Sequence, residues 1–422
     1  EKMDAADPLK RFRSEFEIPP SMHGNRLQSI YLCGNSLGCL PKRAKTYVDE
    51  EMQVWKTYGV EGHFQGKRPW AIVDEPCLTL MKPLIGARSE DEIAIMNSLS
   101  VNNNLMLISF YRPTSKRYKI LIEGQAFCSD HHTVRSHLDL HHISQRDGLI
   151  EVNPKSPQQH IISTQDILDA IDEHNHSISV VWLGVIQYFT GQMFDIPRIT
   201  AKAHEYNIYV GLDLAHGIGN VPLLLHDWNV DFATWCSYKY LNSGPGGISG
   251  VFVHERHHTN TSFKRLTGWW GQKLMDRFKM EHVQIPKKGA QAWQISNPPV
   301  LPTVCLQASL EIFNEAGIEN LRWKSIALTG YMEKLLNTYL SEHVKIITPR
   351  EVNQRGCQLS LIFNRNIERI HREITKQGVI CDLRKGTVMR VAPTPLYNTF
   401  HDVWQFVMIL KQCFDREQTA KL

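Results

Sequence analysis

The sequence has no long apolar run: none of its hydrophobic stretches approaches the roughly 20 residues that a membrane-spanning helix needs. The N-terminal stretch EKMDAADPLKRFRSEF is polar and mixed in charge, unlike a signal peptide with an apolar centre. Runs of like charge are short and the net charge is only +4, so nothing indicates a nucleic-acid surface. These absences favour a cytoplasmic protein without membrane or nucleic-acid partners.

Cysteine is present but not in metal-binding or disulfide patterns. The nine cysteines are an odd number and form no C-x-x-C motif, which favours reduced thiols over a disulfide framework or a zinc site. Histidine is abundant, but neighbouring histidines point in different directions on either a helix or a strand. Such adjacent pairs occur at residues 131–132, 141–142 and 257–258. No metal site is expected.

The order of patterns along the chain indicates its fold. From residue 92 to residue 254, apolar strand-like runs with polar tips alternate with helical patterns, which predicts a mainly parallel sheet with helices on both faces. A proline-rich break follows at residues 298–302, and beyond it long helices precede short strands, as in an α+β unit. We expect an N-terminal helical segment over residues 1–70, a large α/β domain over residues 71–304 and a smaller α+β domain over residues 305–422.

Residues 208–247 are the most informative stretch. Two β-type runs, Ile208–Leu212 and Phe232–Cys236, are followed by Asp213 and by Lys239, respectively. Because ligands of open parallel sheets bind at the carboxyl ends of strands, both side chains are expected to face one cleft. A neutral lysine can form a Schiff base, and a buried aspartate needs a cation such as the pyridinium nitrogen of pyridoxal phosphate. The alternative is a surface lysine with a capping aspartate.

A serine hydrolase is a second interpretation. GNSLG fits the nucleophile-elbow pattern G-x-S-x-G, with Ser36 as the candidate nucleophile. Only a lead-in segment precedes it, whereas an elbow serine normally follows strands of a wound sheet. Asp213 and His216 also lie too close together in sequence to form a relay with a distant serine, so we discount this interpretation.

Two further patterns mark candidate binding residues. A turn over residues 97–103 before a helix at Leu105–Phe110 would place Ser100 near a helix N-terminus, where phosphate binds well; a simple N-cap is the alternative. Arg390 lies inside the strand-like VMRVAP, where a charge is costly unless it is paired. A ligand carboxylate held bidentately would account for it.

Several motifs occur together between residues 31 and 398: YLCGNSLG, GKRPW, FCSDH, DLAHGIGNV, DFATWCSYKYLNSGPGG, GWWG, QISNPP and RVAPTPLYN. In this order they resemble the kynureninases, pyridoxal phosphate enzymes with the fold type I of aspartate aminotransferase. The resemblance implies hydrolytic Cβ–Cγ cleavage of L-kynurenine or 3-hydroxy-L-kynurenine to anthranilate or 3-hydroxyanthranilate plus L-alanine, in tryptophan degradation and NAD biosynthesis. It also implies a homodimer with the site near the subunit boundary.

The resemblance further implies roles for individual residues. Lys239 would bind the cofactor and transfer protons together with Tyr238, Asp213 would pair with the pyridine nitrogen, and Arg390 would bind the substrate α-carboxylate. The other implied cofactor contacts are Leu99, Ser100, Phe127, Cys128, Ser129, Asp130, Gly184, His216, Trp269 and Asn297. The other implied substrate contacts are Ser36, His63, Trp269 and Asn297, of which Trp269 or Asn297 would act on the neighbouring subunit's cofactor. Gly184 stands where relatives can have serine, and Ser100 where threonine is common.

Two alternatives with the same fold stay open. A cysteine desulfurase needs a loop cysteine that reaches the cofactor, and Cys357 is the candidate, although it leads straight into a strand-like run. A catalytically inactive scaffold is the other alternative, against which the presence of Lys239, Asp213 and Arg390 argues.

Overall fold

The computed structural model describes residues 2–22, 27–156, 159–260, 263–384 and 386–419. The strands are β1 (Phe16–Glu17), β2 (Ile30–Tyr31), β3 (Leu40–Pro41), β4 (Ile93–Ile95), β5 (Lys119–Glu123), β6 (Leu149–Val152), β7 (Ile178–Gly184), β8 (Tyr209–Asp213), β9 (Phe232–Cys236), β10 (Ser249–Val253), β11 (Val344–Ile346), β12 (Leu359–Phe363), β13 (Val379–Ile380), β14 (Asp382–Arg384) and β15 (Val388–Val391). The α-helices are α1 (Lys2–Ala5), α2 (Lys42–Tyr58), α3 (Glu75–Ile85), α4 (Leu99–Phe110), α5 (Cys128–Leu140), α6 (Gln145–Gly148), α7 (Thr164–His174), α8 (Ile196–Glu205), α9 (Leu274–Arg277), α10 (Val300–Ala316), α11 (Ile318–Tyr339), α12 (Ile367–Lys376) and α13 (Phe400–Thr419).

A seven-stranded sheet in the order β4-β10-β9-β8-β7-β5-β6 organises the larger part of the molecule. The strands from β9 to β6 pair in parallel, and β10 is antiparallel to both of its neighbours. Strands β8 and β9 are adjacent, with Asp213 opposite Thr234. The residues that follow these two strands therefore emerge at the same edge of the sheet, and the mainly parallel sheet predicted from the sequence is confirmed.

Both faces of this sheet are covered by helices. Successive residues of β7 alternate between two hydrophobic clusters: Val181 and Leu183 pack with α3, α7, α8 and α10, whereas Val180 and Trp182 pack with α4 and α5. Strands buried on both faces read as nearly continuous apolar runs, as β9 does in the sequence. The helices bury both faces of the sheet and leave the strand ends as the positions where functional side chains can meet a ligand.

A four-stranded antiparallel sheet, β11-β12-β15-β14, forms the C-terminal unit with α11, α12 and α13 packed against it. The N-terminal segment joins this unit because β2 pairs in parallel with β13. The α+β character of this part is confirmed. The boundary predicted near residue 305 lies inside α10 and, like the boundary near residue 70, stays a prediction. In the described ranges, no helix is long and apolar enough to cross a membrane.

A buried ion pair fastens the N-terminal segment to α11. Lys324 Nζ lies 2.8 Å from Asp7 Oδ2, and both side chains are 2% exposed. Removing one partner of such a pair leaves an uncompensated buried charge, which costs about 3–5 kcal/mol. We expect Asp7→Asn, which still accepts the hydrogen bond from Leu9 N, to lower the free energy of unfolding by about 3 kcal/mol, measured by urea denaturation.

The control is the double variant Asp7→Leu with Lys324→Met, which removes both charges and keeps the volume apolar. It is expected to recover most of the stability, because a well-packed apolar pair replaces a buried ion pair at little cost. A single variant as stable as the wild type would contradict the importance of this pair.

Candidate functional site

A cavity of about 240 Å³ lies at the carboxyl ends of the central strands. Glu123 ends β5, Gly184 ends β7 and Asp213 ends β8, while Lys239 follows β9 by three residues. All four residues line the cavity. The parallel pairing of these strands is what brings residues so distant in sequence to one place.

Lys239 faces an aromatic wall. Its Nζ lies 5.9 Å from the ring centroid of Phe127, and the Phe127 ring packs edge-on against Tyr188 at 5.1 Å. The loop that carries Lys239 is held from behind, because Gly38 N donates a hydrogen bond to Tyr238 O. A Cβ atom on Gly38 would overlap Lys239 O and Asn242. The last residue of the GNSLG motif must therefore be glycine, because its backbone lies against the loop that carries Lys239.

The serine-hydrolase interpretation finds no support in this geometry. Asp213 Oδ1 accepts a hydrogen bond from Ala215 N at 2.7 Å. In the part of the chain that the structure describes, His216 Nδ1 is buried and has no hydrogen-bond partner. Ser36 does not line the cavity. The three residues thus form no Ser–His–Asp relay within the described ranges.

Three buried carboxyl groups, those of Glu123, Asp130 and Asp213, line the cavity. Burial, followed by repulsion from Asp213, raises the pKa of Glu123 to about 8. Burial also raises the pKa of Asp130, and the neighbouring carboxylates of Asp213 and Glu123 raise it further. The pKa of Asp213 is raised by burial as well, although the Ala215 N–H and Lys239 favour its charged form.

In this cluster the three carboxyl groups outnumber the single nearby basic group, the amine of Lys239. Lys239 is the cation that stabilises the Asp213 charge, so an additional cation, or bound protons on the other two acids, must balance the rest. A protonated pyridine ring held by Asp213 would supply that cation. The donor set therefore fits the pyridinium of pyridoxal phosphate.

The start of a helix at the cavity fits a phosphate group. Helix α4 begins at Leu99 with Ser98 as its N-cap residue, so the turn predicted to extend to residue 103 is wrong. The first residues of α4, Leu99 and Ser100, line the cavity, as Gly247 does. Free backbone N–H groups and the positive end of the helix dipole at such a terminus favour an anion.

Two more groups at the cavity have shifted pKa values. The pKa of His216 is lowered well below its usual value, first by burial and then by the positive charges of Lys239, Arg390 and Arg384. Its imidazole is therefore neutral at pH 7. Burial and the nearby Cys236 raise the pKa of Tyr238, so its phenol keeps its proton and can donate it in a hydrogen bond.

Known proteins of similar sequence cover nearly the whole chain. The kynureninase of Monosiga brevicollis is 46% identical and covers 99% of this chain and 96% of its own length. The kynureninases of Rattus norvegicus and Homo sapiens are 45% and 44% identical, with 98% and 99% of this chain and 92% and 93% of their own lengths covered. The chain belongs to the kynureninase family. In addition, residues 321–410 match the family model described as the kynureninase C-terminal domain, and the predicted family is confirmed.

Solved structures of other enzymes share the fold. A cysteine desulfurase from Escherichia coli has a TM-score of 0.77 at 16% identity and covers 96% of this chain and 98% of its own. One from Thermococcus onnurineus NA1 has a TM-score of 0.75 at 14% identity, covering 91% and 94%. At these identities the likeness concerns the fold alone, and it confirms the predicted fold class.

The position of Cys357 does not support the cysteine desulfurase alternative, which needs this cysteine to reach the cofactor. Cys357 is fully buried, and its backbone N donates a hydrogen bond to Asn220 Oδ1 at 2.9 Å. Burial raises the pKa of its thiol to about 12. A buried, protonated thiol at the start of a strand cannot reach a ligand in the cavity, so in this kynureninase-family chain Cys357 is part of the packing.

The structure brings together most of the residues predicted to contact the cofactor. Those that line the cavity are Leu99, Ser100, Phe127, Ser129, Asp130, Gly184, Asp213, His216, Tyr238 and Lys239. Cys128 does not line it; it is the exposed first residue of α5. The roles predicted for all these residues stay predictions.

Arg390 is buried behind the cavity and is already paired within the chain. Its Nε donates to Asp382 Oδ1 at 2.9 Å, and its Nη1 donates to Tyr188 O at 2.8 Å. The buried charge is therefore paired without a ligand carboxylate. We had argued from the sequence that such a ligand would account for the charge, and the structure does not require it. Tyr188, which lines the cavity, connects Arg390 to it.

Three residues predicted to contact the substrate lie elsewhere on this chain. His63, Trp269 and Asn297 do not line the cavity, and Asn297 is exposed. An aromatic chain of ring contacts joins the first two: His63 to Phe64 at 6.3 Å, Phe64 to Phe278 at 5.5 Å and Phe278 to Trp269 at 5.8 Å. We call these four side chains the aromatic surface.

Glu123 and Tyr188 are among the cavity residues that sequence reasoning missed. Glu123 ends the apolar run YKILIE, the same signal of a charge at a strand end that pointed to Asp213. Tyr188 lies four residues beyond β7 in a loop, where the sequence pattern has no comparable signal.

Proposed function

We propose that this protein hydrolyses the Cβ–Cγ bond of L-kynurenine or 3-hydroxy-L-kynurenine, releasing anthranilate or 3-hydroxyanthranilate and L-alanine. The observation that carries the proposal is the meeting of Lys239 and Asp213 in an acid-rich cavity of a kynureninase-family chain. The family and the donor set of the cavity both support pyridoxal 5'-phosphate as the cofactor. The protein is then a hydrolase of carbon–carbon bonds in ketones that serves tryptophan degradation and NAD biosynthesis.

The residues divide the chemistry between binding and proton transfer. When bound, pyridoxal phosphate supplies an electron sink for the carbon atoms of the substrate. Lys239 Nζ would hold the cofactor and would act as the general base that removes the proton from the substrate Cα. The Asp213 carboxylate would pair with the protonated pyridine nitrogen, a cation that offsets the burial of its charge. The Tyr238 hydroxyl would donate a proton to the product carbon.

Other residues of the cavity orient the cofactor. The N-terminus of α4, with Ser100, would bind the phosphate, and Phe127 would lie against the ring. His216, held neutral by its surroundings, would pack on the ring without competing for the Asp213 charge. Gly184 leaves open space, since a Cβ atom there would meet no atom closer than 3.4 Å.

We further propose that two copies of this chain assemble so that the aromatic surface of one completes the cavity of the other. Phe64, Trp269 and Phe278 are 57%, 42% and 43% exposed, and contiguous exposed aromatic groups mark interaction sites. His63 and Trp269, which are predicted to contact the substrate, lie on this surface rather than in the cavity of their own chain. A homodimer with a shared site explains both facts.

Subunit complementation tests this assembly. Lys239→Ala and Trp269→Ala, each expected to be inactive, are mixed and allowed to exchange subunits. About half of the dimers are then mixed, each with one intact site of two, so roughly a quarter of wild-type activity is expected. No recovery, although native mass spectrometry shows mixed dimers, would contradict a shared site, and a monomeric mass by light scattering would contradict the dimer itself.

The free thiols bear on the cellular compartment that we propose. All nine cysteines are free, including Cys33 and Cys128, and none is paired in a disulfide. Reduced thiols are typical of cytosolic proteins, which supports a cytoplasmic location.

The proposed activity is tested by joining a spectrum to an assay. The purified protein is examined for the yellow absorbance of the bound cofactor, reduced with borohydride, and mapped by mass spectrometry. The same sample receives kynurenine and 3-hydroxykynurenine in parallel, with fluorescence of the aminobenzoate product and release of alanine as readouts. A pyridoxyl group on Lys239 with turnover is the expected result. A label without turnover of either substrate would overturn the activity but keep the cofactor, and absence of the label would overturn both.

A further inference from the structure

A carboxylate and two histidines meet at the amino ends of the parallel strands, on the edge of the large sheet away from the cavity. Glu92 directly precedes β4, His254 directly follows β10, and His226 lies in the connection between β8 and β9. Strands β4 and β10 are antiparallel neighbours with Ile93 opposite Phe252, so their ends bring Glu92 and His254 together. One nitrogen of each histidine and one oxygen of Glu92 lie within 4.8 Å of one another.

Glu92 is a fully buried carboxylate without a permanent counter-charge. Its Oε1 accepts hydrogen bonds from His226 Nδ1 at 2.8 Å and from Glu255 N at 2.9 Å. Its Oε2 accepts one from Arg88 N at 2.7 Å. Within the described ranges, its ion-pair partners are the two histidines alone, with no lysine or arginine among them. Buried charges in proteins are paired or coordinate metal ions, so a cation is missing beside Glu92.

His254 presents a lone pair, and not a proton, to the same place. Arg256 N donates a hydrogen bond to His254 Nδ1 at 3.2 Å, so this nitrogen carries no hydrogen. Burial and then the charge of Arg256 lower the pKa of His254 to about 4, which keeps its imidazole neutral at pH 7. His254 Nδ1 lies 3.9 Å from Glu92 Oε1. Two electron-rich atoms are therefore close together, and neither can donate a hydrogen bond to the other.

The two imidazole rings are directed at one oxygen. His226 and His254 stack with their centroids 4.6 Å apart and their planes at 23°. Their Nδ1 atoms lie 2.8 and 3.9 Å from Glu92 Oε1. In a tetrahedral site with zinc bonds of about 2.0–2.1 Å, neighbouring ligand atoms are about 3.3 Å apart. The two observed distances lie on either side of that value, so shifts of about half an ångström would bring all three atoms to one zinc ion.

The chemistry of the donors also fits zinc. Imidazole nitrogen is a preferred ligand of zinc, and two histidines with one glutamate form known zinc sites in which water is the fourth ligand. The side chain of His226 is 18% exposed whereas that of Glu92 is fully buried. The cluster therefore reaches solvent at His226, which gives an ion a way in.

A second buried carboxylate at the same edge of the sheet shows what Glu92 lacks. Asp231 also faces two histidines, with His204 Nε2 at 2.9 Å and His257 Nε2 at 2.7 Å. In addition, Arg256 Nη2 lies 2.6 Å from Asp231 Oδ1 and supplies a permanent positive charge. Of these two carboxylates, Glu92 is the one that leaves a place for a metal ion.

We propose that Glu92, His226 and His254 bind one zinc ion. The ion takes the place of the hydrogen on His226 Nδ1, and that ring then carries its hydrogen on Nε2. It joins the edge strand β4 to β10 and to the connection before β9, and so stabilises the fold. This site does not depend on the proposed function, because it lies away from the cavity. The sequence did not predict it, since only adjacent histidines were considered there. The competing role of the cluster is a network of hydrogen bonds without metal.

Calorimetric titration of the holoenzyme with zinc chloride tests the site. The wild type is expected to bind one zinc ion per chain at this cluster, and His226→Asn to bind it at least about 10-fold more weakly, the loss that removing even a partner behind a ligand causes. Asparagine keeps an N–H donor for Glu92 but offers the metal no nitrogen lone pair. Retained absorbance of the bound pyridoxal phosphate shows that the variant is folded.

A second variant and a matched control make the result specific. His254→Asn keeps an acceptor for Arg256 N and should weaken zinc binding as His226→Asn does. His204→Gln is the control, because His204 faces a buried carboxylate at the same edge of the sheet and is 24% exposed. Its zinc affinity should equal that of the wild type.

Thermal unfolding and cobalt spectra provide independent readouts. Zinc should raise the Tm of the wild type and of His204→Gln but not that of His226→Asn, because an ion that binds only the folded state stabilises it. Cobalt(II) at the site should give the visible absorption bands of a tetrahedral ion in the wild type and lose them in His226→Asn. The proposal is overturned if zinc binds the wild type and both cluster variants with equal affinity. It is overturned as well if zinc leaves the wild-type Tm unchanged.

Discussion

Lys239→Ala is expected to lower kcat by more than about 10⁴-fold, because it removes both the covalent bond to the cofactor and the general base at Cα. The fold should persist, since the side chain points into the cavity and packs near Phe127 rather than in a core cluster. The measurement is the initial rate with kynurenine and 3-hydroxykynurenine, with circular dichroism as the test of folding.

Two controls sharpen this prediction. Lys239→Arg keeps a positive charge beside Asp213 but cannot form the covalent bond, so it should be as inactive as the alanine variant. Added ethylamine, which can replace the missing amine as a base, should restore a small part of the activity of Lys239→Ala only. Appreciable turnover by either variant without added amine would overturn the role of Lys239.

Glu123→Gln is expected to stabilise the cofactor-free protein strongly at alkaline pH. Glu123 is buried at the end of β5, and its Oε2 has no hydrogen-bond partner in the described part of the chain. Its pKa is raised from 4.5 to about 8, mainly by burial and also by Asp213. Glutamine keeps the shape of the protonated acid but has no proton to lose.

The sign of the pH dependence follows from proton binding. Between pH 4.5 and about 8, the folded protein keeps a proton on Glu123 that the unfolded chain has lost. The folded state then binds more protons, so its stability falls as the pH rises through this window. The raised pKa corresponds to a loss on the order of 5 kcal/mol across it. The Glu123→Gln variant should not show this loss of stability.

Urea denaturation of the wild type and Glu123→Gln from pH 5 to pH 9 measures the effect. The difference in unfolding free energy should be small at pH 5 and largest above pH 8. Glu173→Gln is the control, because Glu173 is 75% exposed and its loss should give no such pH-dependent difference. Parallel curves for wild type and Glu123→Gln would show that Glu123 is ionised at neutral pH in the folded protein.

Local sequence was sufficient for the central features of this protein. The apolar runs of β8 and β9 and the polar residues after them predicted that Asp213 and Lys239 would face one cleft, and the structure places both at one cavity. This worked because hydrophobic periodicity and strand ends are properties of a few consecutive residues. The family motifs are likewise contiguous segments, so the kynureninase family could be identified without the fold.

Other features depend on which strands become neighbours. The carboxyl cluster forms because β5 and β8 flank β7, which brings Glu123 close to Asp213. Arg390 is neutralised across β14 and β15 and reaches Tyr188, about 200 residues away along the chain. The sequence predicted an unpaired charge there because its partner is set by strand register, which a one-residue shift would change.

The sequence by itself determined the fold class, the family and the position of Lys239 after a strand, since each depends on short-range patterns of residues. Only the tertiary structure decided which charged groups meet: Glu123 and Asp213 at the cavity, and Arg384 and Arg390 at one oxygen of Asp382. It also placed His63 and Trp269 on an exposed aromatic surface rather than in the cavity of their own chain. Electrostatic interactions act between side chains that are close in space, and closeness in space is a property of strand order and packing rather than of position in the sequence.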